Sequence, residues 1–215
     1  FSRRNVDLEF QPQWKTPYRM TIRQEAGGTY LVLLDFKNYQ TPFFKLSTIL
    51  EGRFRVREGY ASASPGIIGQ VRSRYTLMDQ KPTGDFEADF EIREGKFFLR
   101  SLFSENLTAK GVIQVAAPYA RDMDMEVSDV DVNAFLAAMD PVNKGTVLGP
   151  FYGKVRVFGD PDRVAMKGRL ATRSGMINGL SYEDMLLNFE GNFPVVIVND
   201  SSITQPDGMV FNLSG

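Results

Sequence analysis

Close pairs of acidic residues are frequent in the sequence, and such pairs are the first candidates for chemistry. Three of them are Asp122 with Asp124, Asp129 with Asp131, and Glu183 with Asp184. A glycosidase needs two carboxylates roughly 5–10 Å apart in a cleft, and residues two apart on a strand meet that distance. The same pairs are also typical of solvated strand faces and of a helix cap, and we favour that interpretation.

Two further stretches partly match binding loops. Residues 122–126 alternate acidic residues as a calcium loop does, but they lack its central glycine and its distant glutamate. Residues 145–150 are rich in glycine, yet no Gly-Lys-Ser/Thr follows and no helix opens after them. We therefore predict no metal, no phosphate loop and no cofactor.

Histidine and cysteine are both absent from the 215 residues. Their absence removes the usual general base, the thiol nucleophile and the commonest zinc ligands. The 25 basic and 26 acidic residues leave a net charge of −1, which gives no electrostatic basis for binding nucleic acid. Basic residues alternate with apolar ones at Lys154 and Arg156 and at Arg53, Arg55 and Arg57. We favour exposed strand faces for these two runs over contact with lipid head groups.

Alternation of apolar and polar residues is the dominant pattern and predicts consecutive antiparallel strands. It is clearest over 85–92, where Phe86, Phe90 and Ile92 share one side and acidic residues share the other. Residues 53–60 are a further predicted strand, and Asp207-Gly208 predicts a two-residue hairpin turn. One short helix is predicted over 131–139, with a proline just beyond its end. The predicted fold class is therefore all-β.

An apolar strand face of this kind can be buried against a second layer or can line an open groove. The pattern alone favours the closed arrangement, a β-sandwich. We predict a single β-rich segment of a larger protein over residues 1–215. Phe-Ser-Arg-Arg is not a start and is followed by no apolar leader, so we expect the chain to begin inside a longer protein or after processing. The stretch SASPGIIG at 62–69 predicts either a boundary or an ordinary surface loop, and we favour the loop.

Four passages within residues 85–215 resemble the AsmA-like family of envelope proteins, which includes TamB. The first two are MEVSDVDVNAFLAAM, similar to the family's strand and short helix, and GTVLGPFYGKVRVFGDP, similar to its glycine-flanked strand pair. The third is MKGRLATRSGMINGLSYEDMLLNFEG, similar to its G-x-L-x-x-x-x-G-x-I-x-G-L-x-Y passage, and the fourth is SSITQPDGMVFNLSG, similar to its closing dG-x-x-x-L-x-G.

The resemblance implies an elongated, twisted antiparallel sheet curved into an apolar groove. It also implies a periplasmic segment of a protein anchored in the inner membrane of a Gram-negative bacterium. The implied function is non-enzymatic transport of phospholipid between the inner and outer membranes, in outer-membrane biogenesis. The partners implied are phospholipid acyl chains in the groove, envelope proteins, and the membrane through parts of the protein outside this chain. The implied groove-lining residues are Phe86, Phe90, Ile92, Met185, Leu187, Phe189, Val195 and Ile197.

The alternative function follows from the closed arrangement. A β-sandwich with its apolar face shut would be an interaction module, serving envelope assembly or the binding of a protein or carbohydrate.

Overall fold

The computed structural model describes residues 5–10, 18–40, 45–57, 66–78, 80–82, 84–130, 147–192 and 195–215. The chain divides into two units, Phe1–Glu105 and Asn106–Gly215. Strands make up nearly all of the described residues, all pairings are antiparallel, and the one helical element among them is a 3-10 turn at Ala26–Gly28. The predicted all-β class is confirmed. The helix predicted over 131–139 lies outside the described residues, as do residues 62–65 of the predicted loop, whereas residues 66–69 are the start of a strand and not part of a loop. The single-segment organisation stays a prediction.

The part of unit 1 that the structure describes contains eight strands, paired in the order β1-β2-β3-β4-β5-β7-β8, with the short β6 paired to β5. They are β1 (Asn5–Phe10), β2 (Tyr18–Gln24), β3 (Thr29–Gln40), β4 (Lys45–Arg57), β5 (Gly66–Met78), β6 (Lys81–Pro82), β7 (Phe86–Arg93) and β8 (Lys96–Ser104). Strand β4 begins well before the predicted start at residue 53. An irregularity between Ser47 and Ile49 interrupts its pairing with β5, so its side chains follow no single period in the sequence.

The described residues of unit 2 form ten strands in two sheets. The larger sheet has the order β9-β10-β12-β13-β16-β17-β18, and the smaller has the order β11-β14-β15. They are β9 (Leu107–Gln114), β10 (Arg121–Val130), β11 (Val147–Leu148), β12 (Phe151–Asp160), β13 (Arg163–Thr172), β14 (Gly175–Ile177), β15 (Leu180–Tyr182), β16 (Asp184–Asn192), β17 (Val195–Thr204) and β18 (Val210–Leu213).

The hairpin predicted at Asp207-Gly208 is present between β17 and β18, but its loop is longer than two residues. Thr204 is the last residue of β17 and pairs with Val210, so residues 205–209 form the loop. The Asp207 carboxylate accepts a hydrogen bond from the Met209 N–H at 3.0 Å. Gly208 has φ +84°, a left-handed conformation that glycine adopts without steric cost.

The core of unit 2 lies where the small sheet packs on one end of the large one. Phe151, Tyr182 and Met185 form a buried cluster there, with Phe151 fully inaccessible to solvent. Partly buried hydrophobic residues from both sheets surround it, namely Val147, Leu170, Ile177, Leu187 and Ile203. The small sheet therefore covers this end of the large sheet.

Tyr182 fixes the small sheet through its hydroxyl as well as its ring. The hydroxyl donates a hydrogen bond to the Leu148 carbonyl at 2.7 Å. A Cβ added to Gly175 would lie 2.2 Å from the same hydroxyl oxygen and 1.8 Å from the Leu148 carbonyl oxygen. Only glycine fits at position 175, because any side chain would displace the tyrosine and the carbonyl that it binds.

Burial raises the pKa of the Tyr182 phenol above its usual value of 10.0, and a hydrogen bond with Thr172 partly opposes that rise. The unfolded chain therefore ionises first as pH rises, so the stability that Tyr182 contributes is complete below about pH 10 and is lost above it. We expect Tyr182→Phe to lower stability by about 1 kcal/mol at neutral pH, since it removes the hydrogen bond to Leu148.

The difference in melting temperature between wild type and Tyr182→Phe should then shrink as the pH is raised from 8 to 11. Scanning calorimetry at fixed ionic strength measures this difference. A gap that stays constant across that range would contradict the assignment of alkaline sensitivity to Tyr182.

Candidate functional site

The acidic pair Asp122 and Asp124 lies on the solvent-exposed side of β10 and faces basic residues of β12. Arg156 donates two hydrogen bonds to the Asp122 carboxylate, from Nε and Nη2, each 2.7 Å long. This pair lowers the pKa of Asp122 below its usual value. Asp122 is therefore held as an ionised acceptor, unlike a catalytic acid, which must carry a proton at working pH.

The remaining acidic candidates form no centre either. No group of three or more metal-ligating residues occurs in the part of the chain that the structure describes, and Asp131 lies outside that part. Within the same described ranges, no helix is long and apolar enough to cross a bilayer.

One face of the large sheet in unit 2 is lined by apolar residues and glycines in continuous rows across the strands. Directly opposed residues in an antiparallel ladder share a face, so the register defines each row. The first row is Gly111, Met123, Val157, Met166, Gly191 and Val196; the second is Ala109, Met125, Val155, Gly168, Phe189 and Val198; the third is Leu107, Val127, Gly153, Leu170 and Leu187. We call this surface the apolar face of unit 2.

The opposite face of the same sheet is charged. Its central rows are Lys110, Asp124, Arg156, Lys167 and Glu190, and Thr108, Glu126, Lys154, Arg169 and Asn188. Acidic residues on β10 stand against basic residues on β12, as in the Asp122–Arg156 pair. The two faces of one sheet thus differ sharply in polarity, and the apolar one is the candidate functional surface.

Five of the eight predicted groove residues fall in unit 2, and the structure brings three of them together. Met185, Leu187 and Phe189 lie on the apolar face, as their alternation predicts. Val195 and Ile197 do not, because they pair with Asn192 and Glu190 on the charged face. Their side chains are 67% and 46% exposed.

A β-bulge explains why the prediction failed on β17. Asp200 and Ser201 together oppose the single residue Leu187, and Asp200 has a positive φ of 44°. The extra residue moves Ile203 onto the face that holds Val196 and Val198 rather than that of Val195 and Ile197. The two valines on the apolar face are therefore residues that sequence reasoning missed.

Unit 1 carries an apolar face of the same kind. Its rows are Ile22, Val32, Gly52, Val71, Ala88 and Leu102; Tyr30, Phe54, Gly69, Phe90 and Leu99; and Val56, Ile67, Ile92 and Phe97. The predicted residues Phe86, Phe90 and Ile92 all belong to this side of β7. Most of these side chains are half-buried, and only Val32, Ala88 and Leu99 are buried.

The opposite face of unit 1 carries several ion pairs. Glu51 contacts both Arg53 and Arg74, at 2.9 and 3.5 Å, and Arg72 contacts Glu87 at 3.2 Å. Arg93 and Arg100 lie over the Phe98 ring, 4.9 and 5.3 Å from its centre. Exposed ion pairs contribute little stability each, and on this face they alternate with exposed apolar side chains such as Leu33, Ile49 and Phe103.

Two of the predicted phenylalanines lie flat across a glycine of the neighbouring strand. A Cβ added to Gly69 would lie 2.7 Å from Phe90 Cζ, and one added to Gly168 would lie 2.5 Å from Phe189 Cζ. Phe90 is also stacked on Phe97, with ring centres 5.5 Å apart. These rings therefore cover the backbone of the neighbouring strand with apolar surface.

We expect Gly168→Ala to lower the free energy of unfolding by about 1–3 kcal/mol, the usual range for overpacking. The new methyl group would meet the Phe189 ring and would also lie 2.9 Å from the Lys154 carbonyl oxygen. Urea unfolding followed by circular dichroism measures the change. Gly66→Ala is the matched control, because its nearest neighbour would be 3.6 Å away. Equal urea midpoints for the two variants would contradict the packing of Phe189 on Gly168.

Comparison of the chain with protein-family models, with curated proteins and with solved structures found no match. The functional assignment therefore depends on the two faces and on the resemblance described from the sequence.

Proposed function

We propose that this chain is a non-enzymatic periplasmic segment of an AsmA-like protein and that its apolar faces hold phospholipid acyl chains in transit between the inner and outer membranes. The observation that carries the proposal is the unbroken apolar rows in each unit, next to a charged face on the same strands. Exposing hydrocarbon to water costs about 0.8 kcal/mol per CH₂ group. A continuous apolar face removes that cost along a path and requires no bond to be broken.

The register supports a path instead of a single pocket. Each row runs across neighbouring strands in the ladder, and glycines lie at intervals within the rows, as at Gly52, Gly69, Gly153 and Gly168. Polar side chains that would arrest a sliding acyl chain are few on these faces. In the full protein, membrane contact and envelope partners would be supplied by segments other than this one.

A closed interaction module is the second candidate, and one observation favours it. The small sheet of unit 2 covers the end of the apolar face at Phe151, as a second layer would. In the described part of unit 2, however, this cover consists of strands only two or three residues long. A dye that fluoresces in apolar surroundings should bind the native protein if the face is open and should not bind if it is closed.

The lipids that accompany the purified chain test the proposal. The protein is expressed in the periplasm of a Gram-negative host, isolated without detergent, and its chloroform extract is analysed by mass spectrometry. We expect phospholipid at close to one molecule or more per chain. A folded protein that carries no phospholipid, even after incubation with phospholipid vesicles, would refute the proposal.

A further inference from the structure

Arg121 is the one charged side chain on the apolar face of unit 2 at the described ladder positions of β9, β10, β12, β13 and β16. The register sets it opposite Ile113 on β9 and Gly159 on β12, and Val164 continues the row on β13. Met123 follows it on the same side of β10. An arginine among apolar neighbours needs an explanation, because desolvating a charge is costly unless an opposite charge or an acceptor is near.

The guanidinium of Arg121 has no such partner in the described residues. Its Nε atom is enclosed and has no hydrogen-bond acceptor. The carboxylates closest along the two strands are engaged elsewhere. Asp122 lies on the other face and binds Arg156, and Asp160 accepts hydrogen bonds from the N–H groups of Asp162 and Arg163 at 3.1 and 2.8 Å. A cation is thus present on an apolar face without an anion to balance it.

We propose that Arg121 binds the phosphate of a phospholipid whose acyl chain lies along the apolar face of unit 2. This inference rests on the proposed function and adds an orientation to it. Arginine suits the role because its planar fork can donate two parallel hydrogen bonds to a phosphate. The chain would lie with its head group at Arg121 and its methyl end toward the Phe151 cluster.

The length of the face agrees with this orientation. From Arg121 to Val127 the strand rises about 3.4 Å per residue, or roughly 20 Å in all. One bilayer leaflet, half of a hydrocarbon core of about 30 Å, has a similar depth of roughly 15 Å. Beyond Val127, Val130 pairs with Phe151, so the small sheet closes the face where an acyl chain would end.

The test compares two lipids that differ by the phosphoglycerol head group. The purified, delipidated chain is titrated with short-chain phosphatidylglycerol and with the diacylglycerol of the same chain length, and bound lipid is measured by mass spectrometry. We expect wild type to prefer phosphatidylglycerol by about tenfold, and Arg121→Gln to bind both lipids alike while keeping its affinity for diacylglycerol. Arg121→Lys should retain part of the preference, since it keeps the charge but lacks the fork.

Two controls separate the possible outcomes. Lys167→Gln removes a cation from the opposite face and should leave the preference intact. Arg121→Met should leave the melting temperature unchanged or raised, because it replaces an unpartnered donor by an apolar side chain of similar length. An Arg121→Gln variant that keeps the tenfold preference, or a fatty acid that displaces phosphatidylglycerol from wild type at equal concentration, would overturn the phosphate assignment and leave the proposed function standing. Failure of wild type to bind either lipid would refute both.

Discussion

Phe189→Asp should remove the phospholipid held by unit 2, and the double variant Phe90→Asp/Phe189→Asp should reduce the phospholipid carried by the chain at least tenfold. Phe189 lies in the second row of unit 2, between Gly168 and Val198, where an acyl chain would contact its ring. An aspartate at this position places an ionised carboxylate against hydrocarbon, and dehydrating that charge costs several kcal/mol. Mass spectrometry of the lipid extract measures the loss, and Phe90→Asp should have the same effect on unit 1.

Ile197→Asp is the matched control for this prediction. Ile197 lies on β17 beside Val198 but belongs to the charged face, where an added aspartate remains hydrated. The Ile197→Asp variant should carry as much phospholipid as wild type. Circular dichroism should show that all the variants are folded. If Phe189→Asp is folded and carries a full complement of phospholipid, the apolar face of unit 2 is not the lipid site.

Phe151→Ala should destabilise unit 2 by about 3–5 kcal/mol, the usual cost of truncating a buried phenylalanine. The side chain is fully enclosed between the two sheets of the unit, next to Tyr182 and Met185, so its removal leaves a cavity as well as lost apolar contact. Amide hydrogen exchange, read separately for peptides of residues 106–215, measures the effect on this unit alone.

Phe211→Ala provides the comparison, because Phe211 lies on the edge strand β18 and is 44% exposed. Phe211→Ala should lower the free energy of unfolding by less than about 1 kcal/mol. Equal protection of unit 2 from hydrogen exchange in Phe151→Ala and Phe211→Ala would show that the Phe151 cluster is not the core of unit 2.

Alternation in the sequence was sufficient to predict the all-β fold and the two faces of some strands, such as β7 and β16. Strand β7 is the best case, because no bulge interrupts its own residues and acidic side chains mark its outer side. The same reasoning failed on β17, where Val195 to Val198 is apolar throughout and cannot show which residues face inward. The bulge at Asp200 also puts the alternation at Ile203 out of step with that of Val195 to Val198. A bulge leaves little trace in a single sequence.

Physical reasons explain why the sequence did not reveal some parts of the site. Strands β11, β14 and β15 are two or three residues long, too short to display a period, so the cover over Phe151 was not predicted. Tyr182 and Gly175 contact each other only in the folded chain. Their contact could therefore not indicate this cover from the sequence. Arg121 did have a signal, because counting back by two from Met125 and Met123 places it on the apolar side of β10.

Site-specific photocrosslinking at two adjacent positions of β17 tests the central claim most directly. A crosslinking side chain is introduced at Val198, on the apolar face, or at Ile197, on the charged face, and the protein is irradiated in living cells. We expect phospholipid to be captured at position 198 and not at position 197. Capture at both positions alike, or at neither, would contradict the assignment of the apolar face as the path for acyl chains.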